Sequence, residues 1–227
     1  MVITVLYLTG LVEKLIIQNT SLAMPSVEYY TKLAAEKLHK RQDEDAINNF
    51  REAIKCARTS ADAEATSKCK INLGAALVHV GRTSEGLKVL ESVIPSQREH
   101  LLAGDRWYNL CLAHEDQGNI TEAKKCIEKA MKSYGESQCS EAVVLKANSA
   151  CRFAFLCAEL KEFENAAKAY AEAASSYESV NDVLEQAECL FQQARVLGCC
   201  EKSDDVIAVA EKCVKLCTEQ PDAVVGK

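Results

Sequence analysis

The chain has 227 residues, 48% hydrophobic and 26% charged, with only 3 Pro and 9 Gly. That is ample apolar material to bury and too few breakers for a disordered or turn-dominated chain. The net charge is −6, from 27 Lys and Arg against 33 Asp and Glu, and the cations form no stripe. Nucleic acid is therefore not expected as a partner, because phosphate neutralisation needs clustered Lys and Arg.

The chain opens with an apolar run, Val2 to Leu8, followed by Leu11, Val12 and Leu15 to Ile17. A secretory signal needs a basic start, an unbroken apolar stretch and a small-x-small cleavage site. Only Ser21-Leu22-Ala23 supplies any of these, and Glu13-Lys14 interrupts the run. The run also falls short of the roughly 20 residues that a bilayer span requires, so a membrane is not an expected partner. Residues 1–26 are read as an apolar segment of open structure, either an amphipathic piece packed on the first helical repeat or a poorly ordered start, closed by Pro25.

From there the same ten-residue phrase returns five times: DAINNFREAI from Asp45, EGLKVLESVI from Glu85, EAKKCIEKAM from Glu122, NAAKAYAEAA from Asn165 and DVIAVAEKCV from Asp205. Successive copies begin 40, 37, 43 and 40 residues apart. A recurring unit of that size marks a stacked solenoid. Before each phrase stands a helix with a small residue, and its distance to a phrase position is constant: Ala34 to Ala46, Gly74 to Gly86, Cys111 to Ala123, Ala154 to Ala166 and Ala194 to Val206 are all 12 apart. A helix-turn-helix hairpin is thus the repeated module, with small residues where its two helices approach.

Polar residues or Gly break each hairpin at His39 to Asp43, Gly81 to Ser84, Gly118 to Thr121, Leu160 to Phe163 and Cys199 to Ser203. Gly81 and Gly118 suit a left-handed helix end. Ser84, Thr121 and Ser203 are predicted N-caps of the second helices, each followed by an acidic residue. The expected array spans 27–218, and residues 219–227 are read as a disordered tail.

The twelve cysteines contain no C-x-x-C and fall mostly within the helical pattern. Cys213 and Cys217, four apart on one helix face, are about 5 to 6 Å apart at Cβ, too far for a disulfide. Reduced core cysteines and a cytoplasmic setting are expected. No G-x-G-x-x-G, P-loop, G-x-S-x-G or H-E-x-x-H occurs, and no two of His39, His79, His100 and His114 share a helix at ligand spacing. No catalytic, cofactor or metal residue is proposed, and no enzyme activity is expected.

Trp107-Tyr108-Asn109-Leu110, Gly118, Ala123 and Ala130, with Asn72-Leu73-Gly74, resemble the tetratricopeptide repeat pattern of aromatic, Leu and small residues. On that resemblance repeats begin near Val27, Ser67, Gly104, Ala147 and Ala187, and the fold is an all-α, right-handed superhelical solenoid of about five antiparallel hairpins. The family's usual period is about 34 residues. The excess here, 6, 3, 9 and 6 residues between successive hairpins, belongs at the end of the second helix, in the connector or at the start of the next first helix. It resembles the long-helix variants found in cell-polarity adaptors and kinesin light chains.

The resemblance also implies a function. First-helix residues line a concave groove that binds a peptide segment of another protein, and the candidates here are Lys68, Asn72, Tyr108, Asn109, Leu112, Arg152, Phe155, Phe191 and Arg195. Tyr108, Leu112, Phe155 and Phe191 would bury a partner's side chains, and Asn72 and Asn109 would bond its backbone. The first repeat carries Thr31 and Ala35 at the positions where chaperone-tail clamps use Lys and Asn, so a chaperone C-terminal tail is not the expected partner. The alternative is a structural subunit of a larger helical assembly that docks through its terminal repeats. Trp107 is expected to be buried between helices.

Overall fold

The computed structural model describes residues 25–96, 98–200 and 203–220. The apolar segment and most of the expected tail lie outside them. Ten α-helices and no strand occur among the described residues: α1 Val27–His39, α2 Asp43–Thr59, α3 Ala63–His79, α4 Thr83–Glu91, α5 His100–Asp116, α6 Ile120–Glu136, α7 Glu141–Glu159, α8 Phe163–Ser179, α9 Val183–Gly198 and α10 Ser203–Glu219. Consecutive helices pack in pairs as five hairpins. Within each, the odd-numbered helix is called A and the even-numbered B. The chain divides into two compact units, one ending at Ile94 and the other starting at Pro95.

The turns repeat one device. Arg41, Ala61, Gly81, Gly118, Lys161 and Asn181 all have φ between 55° and 79°. In each case the N–H of that residue and of the next reach back to carbonyls of the preceding helix, as in Gly81 N to Val78 O and Arg82 N to Leu77 O. This left-handed cap satisfies carbonyls that a helix end leaves open and reverses the chain in few residues. Gly81 and Gly118 fill the role expected of them, and four non-glycine residues fill it as well.

The expected N-caps Ser84 and Thr121 are corrected. A single residue separates the left-handed position from the next helix, so Arg82 and Asn119 hold the cap position and make no side-chain cap bond. Side-chain caps occur instead at A helices: Ser26, Asp62 and Asp182 accept from the N–H of Tyr29, Ala65 and Glu185.

A helices begin at Ala63, His100, Glu141 and Val183, four to six residues ahead of the repeat starts at 67, 104, 147 and 187. Part of the extra length therefore extends the front of helix A. The second phrase is not helical to its end: α4 stops at Glu91, before Ser92, Val93 and Ile94. Pro95 lacks an N–H and pushes Ile94 out of the helical region.

In the first four hairpins the residues 12 apart mark close helix contact, whereas Ala194 and Val206 of the fifth are half-buried. Ala34, Ala46, Cys111, Ala123, Ala154 and Ala166 are all fully buried. At Gly74 and Gly86 the helices touch so closely that a Cβ on Gly86 would lie 2.9 Å from the Gly74 carbonyl oxygen. Around these contacts Ile47, Phe50, Leu73 and Leu77 form the core of the N-terminal unit. In the C-terminal unit, Ala154, Cys157, Ala166 and Tyr170 form one cluster and Ala147, Ala173, Tyr177 and Leu190 another.

Candidate peptide-binding face

In the C-terminal unit the A helices of successive hairpins lie beside one another. Arg152 Nη1 on α7 is 3.1 Å from Glu115 Oε1 on α5, and Cys151 Sγ on α7 is 3.1 Å from Cys189 Sγ on α9. Of the candidate residues, Tyr108, Asn109 and Leu112 stand on α5, Arg152 and Phe155 on α7, and Phe191 and Arg195 on α9. Tyr108 and Leu112 are partly buried, while Phe155 and Phe191 are 40% and 52% exposed. Lys68, exposed, and Asn72, half-buried, lie on α3 in the N-terminal unit. There the neighbouring Ile71 is 3% exposed and belongs to the core.

Several candidates are committed to internal bonds. Asn109 donates its amide to the Asp105 carbonyl of its own helix at 2.8 Å. Arg152 is paired with Glu115 and hydrogen-bonded to Tyr108. Burial opposes the Arg152 charge, but Glu115 and Tyr108 outweigh it and hold the guanidinium more firmly protonated than usual. Burial also pushes the Tyr108 hydroxyl above its ordinary value, against the pull of Arg152. Glu115 Oε2 and His114 Nδ1 are buried without a hydrogen-bond partner. On α9, Arg195 Nη1 donates to Gln192 Oε1 at 2.8 Å, and Gln192 Nε2 donates to Glu188 Oε1 at 2.6 Å.

In the third and fourth repeats the A-helix position next to the repeat start already holds a partner from helix B. Tyr134 on α6 donates its hydroxyl to Asp105 Oδ1 at 2.7 Å, and Tyr177 on α8 donates to Asn148 Oδ1 at 2.5 Å. Both tyrosines stand 11 residues after the small residue of their phrase, Ala123 and Ala166. That shared offset is the signal the sequence carries for these two contacts. Gly104 makes room for the first of them, since an added Cβ would sit 2.4 Å from the Tyr134 ring.

Trp107 is corrected from buried to half-buried. Arg106 of its own helix and Lys129 of the facing α6 flank its ring at 4.5 and 4.1 Å from the centroid, so cationic side chains and not apolar ones cover it. Cys139 is likewise placed in the α6–α7 loop and is exposed. No group of three His, Cys, Asp or Glu suited to a metal ion occurs among the described residues. Nor is any helix among them long and apolar enough to cross a membrane.

Residues 104–136 match the family model of the tetratricopeptide repeat. Among solved structures, the chain is similar to BtubC (BKLC) from P. vanneervenii, with a TM-score of 0.73 at 13% identity over 86% of this chain and 81% of that one. It is similar to the nearly identical repeats of a putative kinesin light chain from Podosopora anserina, with a TM-score of 0.67 at 13% identity over 88% and 100% of the two chains. A Rap protein complexed with Competence and Sporulation Factor gives a TM-score of 0.61 at 14% identity, over 87% and 65%. At these identities the likeness is one of fold.

Proposed function

We propose that this chain, a tetratricopeptide-repeat protein by its matched third repeat and its all-α repeat fold, is a non-catalytic adaptor that binds a peptide segment of another protein along the A-helix face of its C-terminal unit. The observation that carries the reading is the pair Phe155 and Phe191, large apolar side chains left 40% and 52% exposed on the A helices of successive hairpins. Exposed aromatics on a rigid helical face are the anchors that peptide recognition uses, because they bury large area at low cost in side-chain entropy. The neighbouring charges are fixed: Arg152 by Glu115 and Tyr108, Arg195 by Gln192. Such pre-ordered groups lose little freedom on binding. That a fold neighbour, the Rap protein, is complexed with Competence and Sporulation Factor supports the same kind of use here.

The face is tested by selecting peptides from a displayed random library on the full chain and titrating them against wild type and a Phe155→Ala/Phe191→Ala double variant. Loss of about 2 to 4 kcal/mol of binding, roughly 30-fold or more, is expected for two anchors. Equal affinity for a folded double variant refutes the reading.

One observation favours docking through the last repeat as a second reading. No residue of α10 is fully buried, and Ile207 and Val214, seven apart on one side of it, are 57% and 62% exposed. An apolar stripe of this kind fits a partner helix. Light scattering over a concentration series distinguishes the two: self-association abolished by Ile207→Lys/Val214→Lys supports end docking, and a monomer at all concentrations argues against association between copies.

A further inference from the structure

We propose that Cys151 and Cys189 are a redox-active dithiol that closes to a disulfide and staples the fourth hairpin to the fifth. Their sulfurs lie 3.1 Å apart, one from α7 and the other from α9, and a bond of about 2.05 Å requires an approach of only about 1 Å. The two residues are 38 apart in sequence and belong to different hairpins, so the bond would fix the packing of one repeat on the next. Cys213 and Cys217, four apart on α10, also meet through their side chains, but a bond there would lie within one helix and join no two hairpins.

The repeat itself shows that this juxtaposition is not an accident of one side chain. Cys151 stands three residues before its hairpin's small residue, Ala154, and Cys189 five before Ala194. The same two positions in the first and second hairpins are Thr31 and Cys69, again 38 apart, and they too are hydrogen-bonded to each other. The A-helix crossing thus brings these two positions together in both units. Thr31 with Cys69 makes a hydroxyl–thiol contact that cannot be oxidised to a cross-link. At the equivalent site between the third and fourth hairpins the residues are Tyr108 and Ser149. Among the described crossings, both positions are thiols only between α7 and α9.

Access orders the chemistry. Cys151 is partly exposed and Cys189 is 2% exposed. The oxidant is a low-molecular-weight disulfide such as oxidised glutathione. The Cys151 thiolate, having released its proton to solvent, attacks one of its sulfurs and expels one glutathione thiolate, leaving a mixed disulfide on Cys151. Cys189, losing its own proton, attacks Cys151 Sγ and expels the second glutathione thiolate, which takes up a proton. Two protein thiols and one glutathione disulfide become one protein disulfide and two glutathiones. A dithiol reductant reverses the exchange. The adjacent Cys151 and burial raise the Cys189 thiol well above its ordinary value, so the second step is the slower one.

Trypsin provides an unambiguous readout, because cleavage after Lys146, Arg152, Lys168 and Arg195 leaves Cys151 alone in 147–152 and Cys189 alone in 169–195. The folded full chain is incubated with a graded ratio of oxidised to reduced glutathione, quenched with iodoacetamide, digested without reduction and analysed by mass spectrometry. The linked pair 147–152/169–195, lighter than the sum of the free peptides by two hydrogens, is expected as the dominant intramolecular cross-link. It should be absent after Cys151→Ser, with the Cys189 peptide then recovered alkylated. In the linked protein the thermal midpoint should rise, and dithiothreitol should restore the original value. Recovery of both peptides alkylated, while exposed Cys139 and Cys199 already carry glutathione, overturns the proposal. So does a glutathione adduct that persists on Cys151 without the linked pair. Finding the linked pair only after denaturation overturns it as well.

Discussion

Replacing Gly86 by Ala tests whether the constant spacing of 12 reflects direct helix contact. An added methyl at this position would stand 2.7 Å from Val78 Cγ2, 2.9 Å from the Gly74 carbonyl oxygen and 3.2 Å from the Val78 nitrogen. The Val78 methyl can turn away, but the other two atoms are backbone of α3. Restoring ordinary contact at 3.4 Å or more requires α3 and α4 to part by about half an ångström. Forcing a methyl into a packed interface costs about 1 to 3 kcal/mol, and the helix preference of Ala over Gly returns about 1 kcal/mol. The net is a loss of about 1 to 2 kcal/mol, felt most in α4, which has only nine residues. Gly135→Ala is the control, because its nearest neighbours are flexible Lys146 atoms at 3.8 Å or more. There the propensity term acts alone and stability should hold or rise by up to about 1 kcal/mol. Denaturant midpoints by circular dichroism measure both variants, and hydrogen exchange at α3 and α4 amides localises the effect, since repeat arrays need not unfold all at once. If Gly86→Ala matches or exceeds wild type, the close-approach argument is wrong.

Tyr177→Phe removes the hydroxyl from Asn148 and leaves a poorly solvated amide oxygen, so a loss of about 1 to 2 kcal/mol is expected in denaturant melts, with the Asn148→Ala/Tyr177→Phe pair less than additive. Lys161, at φ 61°, occupies a conformation that suits Gly; Lys161→Gly should stabilise by up to about 1 kcal/mol and Gly118→Ala should destabilise by about 1 kcal/mol, read from the same melts. Burial raises the Cys157 thiol to about 11 from an ordinary 9.0, so the fold favours the protonated form. Its stabilising contribution is complete below pH 9 and is lost as pH rises toward 11, a fall on the order of 2 to 3 kcal/mol in denaturant-derived stability. Cys69, Cys111 and Cys126 are raised in the same direction by burial and steepen that fall. Cys157→Ala should make it shallower, and an unchanged slope would show that this thiol is not protected.

How much is legible in the sequence varies by feature. Four of the five phrases and the first four hairpin breaks appear in the helices as read, because small residues and turns are local properties of the chain. The caps expected at Ser84 and Thr121 fall two residues earlier because the left-handed turn leaves one residue before the next helix, and that choice depends on backbone direction. Three left-handed positions, Arg41, Ala61 and Lys161, carry no residue that favours that conformation, whereas Asn181 is one that tolerates it. Among the candidate face residues, Phe155 and Phe191 are exposed as a binding role needs, whereas Asn109 and Arg152 are engaged by Asp105, Glu115 and Tyr108.

Sequence alone determined the repeated hairpin, its helical class and its count, because hydrophobic period, small residues and turn chemistry each act over a few residues and recur. Tertiary structure decided what lies beside what. It brought Cys151 to Cys189, tied Tyr134 and Tyr177 to Asp105 and Asn148, and divided the chain at Ile94 and Pro95. Those outcomes depend on the angle and offset at which one helix crosses another, and a crossing is set by the sum of all side chains in the interface.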